Sequence, residues 1–152
     1  MSDTASVSSD DRGFAASTFN RTWDYLVQQA RSEEETEAMI HASHASLWHW
    51  MQVPERTPAN ISVGYWLLSR VYAIAGQGEA AWHYAERCRR VTEEAGLRAF
   101  YLGYACEALA RAARLRGNAV ERDTWRSRGI ELAATVTSKE ERELLERDLA
   151  GF

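Results

Sequence analysis

The chain has 152 residues, of which 45% are hydrophobic and 26% charged, enough for one domain with a substantial core. Its formal net charge of −4 at pH 7 argues against a global positive field, so we expect no nucleic-acid partner. No apolar run approaches the roughly 18 residues of a membrane-spanning helix, and we expect no membrane partner.

The N-terminus and the cysteine content bear on location. Residues 1–11 are rich in Ser and Asp and lack the basic and apolar regions of a secretory signal. We expect residues 1–12 to form a disordered tail and residues 13–152 a single helical domain. Two cysteines are few for a disulfide-stabilised secreted domain, which favours the cytoplasm. The 18 basic residues include a single lysine, an arginine bias typical of a GC-rich bacterial genome.

Apolar residues recur at intervals of three and four, which predicts helices throughout. The capping-box pairs Ser32/Glu35 and Ser138/Glu141 mark two helix starts. Thr57 suits an N-cap, and Pro58 suits the first helical position. The expected helices span about residues 14–30, 33–51, 58–75, 79–95, 98–116, 119–136 and 139–149. No segment of any length alternates with a period of two, so the predicted fold class is all-α.

Residues 61–88 form the clearest unit, two helices joined by a tight turn. One apolar stripe on the first helix consists of Ile61, Tyr65, Leu68, Tyr72 and Ala75. Gly76 and Gly78 favour the turn, and Gly96 is expected to form a left-handed helix cap. The turn glycines Gly76 and Gly117 lie 41 positions apart, which indicates a repeated helix pair. A closed helical bundle is the alternative, because stripes and glycine turns fit both.

This unit resembles the tetratricopeptide repeat family, in a variant with longer helices. The matching residues are Tyr65, Leu68, Ser69, Tyr72, Gly76, Ala81, Ala85 and Cys88. The third pair fits less well, with Arg122 where the family has Ala, and the first pair fits only in pattern. The resemblance implies an α–α superhelix of three antiparallel helix hairpins plus a C-terminal capping helix. It also implies a non-enzymatic module that binds a protein or peptide partner in a concave groove.

The family's contact positions give the candidate binding residues. They are Val63, Trp66, Arg70 and Ala73 in the second pair and Tyr104, Glu107, Arg111 and Arg114 in the third. The arginines would converge on a carboxylate or phosphate of the partner, and Trp66 would contact an apolar group. The alternative is a solvated face with internal ion pairs, because Glu107 and Arg111 stand at i and i+4.

A second hypothesis is a small-molecule or metal site, possibly enzymatic. Glu37, His41 and His44 share one helix face, and His83 is a candidate fourth ligand. The competing interpretation makes His44 a hydrogen-bond donor in a polar pocket. No nucleophile, phosphate-loop or metalloprotease motif is present, so we expect no cofactor and no catalytic residue.

Two further possibilities concern Cys88 and Cys106 and the oligomeric state. The two cysteines lie on facing stripes and are either small apolar core residues or a redox pair. A stack of three pairs would also leave apolar surface at its first helix, which allows a homodimer.

Overall fold

The computed structural model describes residues 4–152, with side chains from Asp10 onward, and within that range it contains α-helices and no β-strand. The predicted all-α class is therefore confirmed for the described residues. The helices are α1 (Thr4–Leu26), α2 (Glu33–Gln52), α3 (Pro58–Ile74), α4 (Gly78–Glu94), α5 (Ala99–Leu115), α6 (Ala119–Ala133) and α7 (Lys139–Leu149).

The first helix differs most from the sequence-based expectation. It begins at Thr4, so residues 4–12 are helical where we predicted part of a disordered tail. Tertiary contacts explain the difference, because helices in proteins are stabilised mainly by packing rather than by local propensity. Asp11 is buried with its carboxylate 2.7 Å from His49 Nδ1, and Ser46 donates to the Ala15 carbonyl. Residues 1–3 lie outside the described part of the chain, where the predicted tail stays a prediction.

Side-chain caps fix three helix starts at the predicted places. Ser32 accepts a hydrogen bond from the Glu35 backbone N–H and Ser138 accepts one from Glu141. Thr57 and Asn60 form a reciprocal capping box around Pro58. The predicted glycine turns are confirmed as well, with φ of 76° at Gly76, 61° at Gly96 and 72° at Gly117, a conformation that favours glycine.

Consecutive helices along the chain pack against one another. The most extensive contacts join α1 to α2, α3 to α4 and α5 to α6. Further contacts join α2 to α3 and α4 to α5. Helix α5 also contacts both α3 and α7. The largest fully buried apolar side chains are Met39, Leu67, Leu68, Leu109, Leu145 and Leu149. Helices α3, α5 and α7 contact one another in order and Trp23 of α1 stacks on Trp66 of α3, so the candidate site lies along these four helices.

Helix α7 closes the array through close approaches to glycine. Leu145 fits against Gly103 of α5, and Leu149 fits against Gly129 of α6. Both leucines are fully buried, whereas Leu144 on the same helix is 39% exposed.

We expect Gly103→Ala to lower the free energy of unfolding by about 1–3 kcal/mol, the usual cost of overpacking. The new methyl group would overlap Leu145, which has no free space to move into because it is fully buried. Gly13→Ala is the matched control, since its methyl group would meet nothing within 4 Å and would favour the helix. Urea denaturation measures both variants, and equal stability would refute the packing assigned to α7.

Candidate functional site

The odd-numbered helices line most of a partly open cavity of about 360 Å³, which we call the groove. It is lined by Trp23, Ser62, Val63, Trp66, Arg70, Cys88, Phe100, Tyr101, Tyr104, Leu144, Arg147 and Asp148. All except Cys88 come from α1, α3, α5 and α7. The volume lies in the range of small-ligand pockets and suits one or two side chains of a larger partner.

Aromatic rings form the walls of the groove. Trp23 and Trp66 stack with ring centroids 6.1 Å apart. The edge of Tyr104 meets Trp66 at 5.5 Å, and Phe100 meets Tyr104 at 5.1 Å. Interlocked rings of this kind present a large apolar surface with little side-chain entropy to lose on binding.

Arg70 supplies the positive charge within this aromatic wall. Its guanidinium carbon lies 5.5 Å from the ring centroids of both Trp23 and Trp66, a double cation–π contact. Its Nε atom is buried without a hydrogen-bond partner, and no carboxylate in residues 10–152 forms an ion pair with it. A buried donor without a partner is costly, so this position favours an incoming acceptor.

Glu107 and Arg111 lie behind Trp66. Glu107 is 2% exposed and accepts a 3.0 Å hydrogen bond from Trp66 Nε1. Its other carboxylate oxygen pairs with Arg111, the ion pair that the alternative interpretation of the sequence predicts. Burial, and secondarily the charge of Arg70, lower the pKa of the Arg111 guanidinium to about 9. Arg111 Nη1 is buried and also lacks a partner among the described residues.

The opposite wall carries a second polar group. The Tyr104 hydroxyl donates to Asp148 at 2.7 Å, which joins α5 to α7. Burial, and then this hydrogen bond to the carboxylate, raise the pKa of Tyr104. Arg147 lies 3.9 Å from Asp148 and is largely exposed. The charged residues that line the groove are Arg70, Arg147 and Asp148, which leaves an excess of one positive charge.

The predicted binding residues fall into separate places. Val63, Trp66, Arg70 and Tyr104 line the groove. Glu107 and Arg111 support it from behind, and Glu107 is too deeply buried to touch a ligand. Ala73 lies in the core beside Ala81, and Arg114 lies on the surface, 3.4 Å from the Gly151 carbonyl oxygen. The structure therefore does not bring Arg114 to the groove.

Sequence reasoning missed the contributions of α1 and α7 and two residues at the start of α5. These residues are Trp23, Phe100, Tyr101, Leu144, Arg147 and Asp148. Spacing alone offered a signal for Trp23, which precedes Trp66 by 43 positions, close to the 41 between the turn glycines. Helix α7 gave no such signal, because its charged side chains fit a solvated cap equally well.

The histidine cluster does not assemble as a metal site. Among the described residues, no group of three or more His, Cys, Asp or Glu side chains is placed to hold a metal ion. His44 Nε2 instead lies 2.8 Å from the Tyr72 hydroxyl and packs against the Tyr84 ring. His41 pairs with Glu37 at 3.7 Å on the exposed surface. The geometry thus matches the polar-pocket interpretation of His44.

We expect the free energy of unfolding to fall as pH drops below 6.5 partly because of His44. Burial, and then the charge of His41, lower the pKa of His44 below its ordinary 6.5. The unfolded chain therefore binds the proton first, and this contribution is complete above 6.5 and lost as pH falls through the folded pKa. His44→Gln should flatten the slope of stability between pH 7 and 5, measured by urea denaturation, whereas His41→Gln, which removes only the smaller cause of the shift, should flatten it less. Parallel slopes for wild type and His44→Gln would contradict this assignment.

Both cysteines are buried free thiols, as the core interpretation predicts. Burial raises the pKa of Cys88 to about 11 and that of Cys106 to about 12. Cys88 donates to the Ser62 carbonyl at 3.4 Å. These surroundings disfavour the thiolate that a redox pair would need.

Comparisons with protein-family models, with curated proteins and with solved structures found no match for this chain. Within residues 4–152, none of the helices combines the length and apolar character needed to cross a bilayer.

Proposed function

We propose that this chain is a tetratricopeptide-like stack of helix pairs whose groove binds an acidic segment of a protein partner without catalysis. The partner's carboxylate would meet Arg70, and apolar parts of the same segment would pack on Trp23 and Trp66.

Helix packing supports the architectural part of the proposal. In a stack of pairs, each first helix contacts its own partner and the first helix of the next pair, as α3 does with α4 and α5. The family-like residues also pack at helix contacts: Ser69 donates to the Ala81 carbonyl at 2.8 Å, and Ala85 and Cys88 are buried. Tyr72 stacks on Tyr84 at 5.5 Å.

The single observation that carries the binding proposal is Arg70, a guanidinium without an anionic partner in an aromatic cavity. Stacked indole rings hold its charge at a fixed place, and its buried Nε lacks an acceptor. A carboxylate supplies both the missing acceptor and the missing negative charge. The surrounding rings partly shield this position from water, which strengthens that interaction relative to an exposed ion pair.

The chemistry favours a partner that is both acidic and apolar. A purely acidic ligand would leave the aromatic walls in contact with its polar atoms, and a purely apolar one would bury Arg70 without compensation. Nearby Asp148 and buried Glu107 disfavour densely charged ligands, because each adds repulsion. A single carboxylate flanked by apolar groups therefore fits best.

An array of labelled hexapeptides with blocked ends tests the proposal. Each peptide carries one glutamate among apolar residues, and a matched array carries glutamine instead. Fluorescence anisotropy should show binding of glutamate peptides that weakens as salt is raised, and little binding of glutamine peptides. No binding by any member, or equal binding of both arrays, would overturn it.

A further inference from the structure

A second cavity of about 220 Å³ adjoins the groove between α1, the end of α2 and the start of α3. We call it the side cavity, and it is lined by Ala16, Phe19, Asn20, Trp50, Asn60, Val63 and Gly64. Val63 lines both cavities, so they meet at this side chain. The side cavity has no charged residue in its lining, in contrast to the groove.

The lining of the side cavity suits one apolar side chain. A cavity of about 150 Å³ holds a benzene ring, so 220 Å³ has room for a side chain the size of leucine. Phe19, Trp50 and Val63 supply apolar contact. Asn60 accepts from the Thr57 backbone N–H at 2.8 Å, which uses its carbonyl oxygen and leaves its amide NH₂ as a donor. Asn20 adds an exposed amide at the same rim, so backbone groups of a ligand would find partners there.

The offset between the two cavities along their shared helices is comparable to the side-chain spacing of an extended peptide. On α3 the side cavity is lined by Asn60, Val63 and Gly64, and the groove continues to Trp66 and Arg70. The lining residues of the two cavities differ in mean position by about three residues on α3 and about five on α1, an offset of roughly 4–7 Å of rise along the helices. Alternate residues of an extended chain point to the same side about 6.6 Å apart. Two such side chains enter neighbouring cavities without a bend in the backbone.

Building on the proposed function, we infer that the groove and the side cavity together bind an extended peptide segment with an apolar and an acidic residue two positions apart. The apolar side chain fills the side cavity, and the acidic side chain meets Arg70. The uncharged lining of the side cavity suits the apolar side chain, and the positively charged lining of the groove suits the acidic one. The order of the two residues along the peptide is determined by experiment.

Blocked, labelled pentapeptides test this inference directly. One has the order Gly-Leu-Gly-Glu-Gly, one has Leu and Glu exchanged, and matched versions replace Leu by Gly or Glu by Gln. Fluorescence anisotropy should show that one of the two peptide sequences binds more tightly than the other. Replacing Leu by Gly in that peptide should weaken its binding about tenfold, as expected for burial of a leucine side chain. Loss of Glu should weaken it at least as much, because the carboxylate carries the proposed function.

Ala16→Phe supplies the matching protein variant, because Ala16 is exposed and lines the side cavity. The larger side chain should fill that cavity and weaken the Leu peptide about tenfold, while the Gly version binds as it does to wild type. Ala119→Phe is the control, an exposed alanine outside both cavities.

The outcomes separate the inference from the proposed function. If binding depends on the glutamate but its affinity is unchanged by both the Leu-to-Gly substitution and Ala16→Phe, the inference is overturned and the proposed function stands. Binding that is unchanged by the Glu-to-Gln substitution would overturn both. No binding of the pentapeptides in either order would overturn the inference, and the hexapeptide array decides the proposed function separately.

Discussion

Glu107→Ala is expected to lower the free energy of unfolding by about 3 kcal/mol, with a fall in Tm of roughly 6–12 °C. The carboxylate is almost completely buried and serves both Trp66 Nε1 and Arg111. Its removal leaves the Arg111 charge and the indole N–H without acceptors in a dry environment. The Arg111 side chain is 16% exposed, so the expected loss of unfolding free energy is at the lower end of the range for breaking a buried ion pair. Urea and thermal denaturation followed by circular dichroism measure it.

Two variants separate charge from hydrogen bonding at this position. Glu107→Gln keeps an acceptor for Trp66 Nε1 and removes the charge, so it should be destabilised less than Glu107→Ala. The double variant Glu107→Leu with Arg111→Leu should be more stable than Glu107→Ala alone, since no unpaired charge remains buried. A Glu107→Ala protein within about 0.5 kcal/mol of wild type would contradict the role assigned to the pair.

Arg70→Met is expected to weaken binding of a glutamate peptide about 10- to 100-fold, the range for a charge-assisted hydrogen bond. Methionine retains an unbranched apolar stem against Trp23 and Trp66, so stability should change little. The loss of affinity caused by Arg70→Met should disappear for the glutamine version of the peptide and should be smaller at high salt. Fluorescence anisotropy at low and high salt gives these affinities.

Arg87→Met is the matched control for Arg70. Arg87 also lies over an aromatic ring, 5.9 Å from the centroid of Tyr65, but it is outside the groove. Equal losses for the two variants would show a nonspecific charge effect and refute the assignment. Arg111 is unsuitable for this test, because its ion pair with Glu107 makes any substitution a change in stability as well.

The sequence predicted the helix starts well because their determinants are local. Caps at Ser32, Thr57 and Ser138 and the left-handed glycines depend on a few neighbouring residues, and the structure confirms them. The start of α1, observed at Thr4 and predicted at about residue 14, differs for the opposite reason. Its first turns are rich in Ser and Asp, and the contact between Asp11 and His49 joins residues 38 positions apart. A single sequence gives no indication of such a contact.

The candidate site shows the same limit. The family resemblance assigned Trp66 and Arg70 to one concave surface, and in the structure both line the groove. Glu107 was expected to face a ligand, yet it is buried, because the indole N–H of Trp66 and the guanidinium of Arg111 together satisfy its charge. The α7 residues of the groove were not predicted, because the polar face of α7 has the sequence pattern of a solvated surface. In the structure, the hydrogen bond from Tyr104 to Asp148 shows that this face contacts α5.

The indole N–H signals of the tryptophans in a ¹⁵N-labelled protein test most directly whether the groove is the binding site. On titration with the glutamate peptide that binds best, we predict shifts for Trp23 and Trp66, which line the groove, and none for Trp82 and Trp125, which do not. Single Trp-to-Phe variants assign the signals. Unshifted Trp23 and Trp66 in the presence of saturating peptide, or shifts confined to Trp82 and Trp125, would contradict the account.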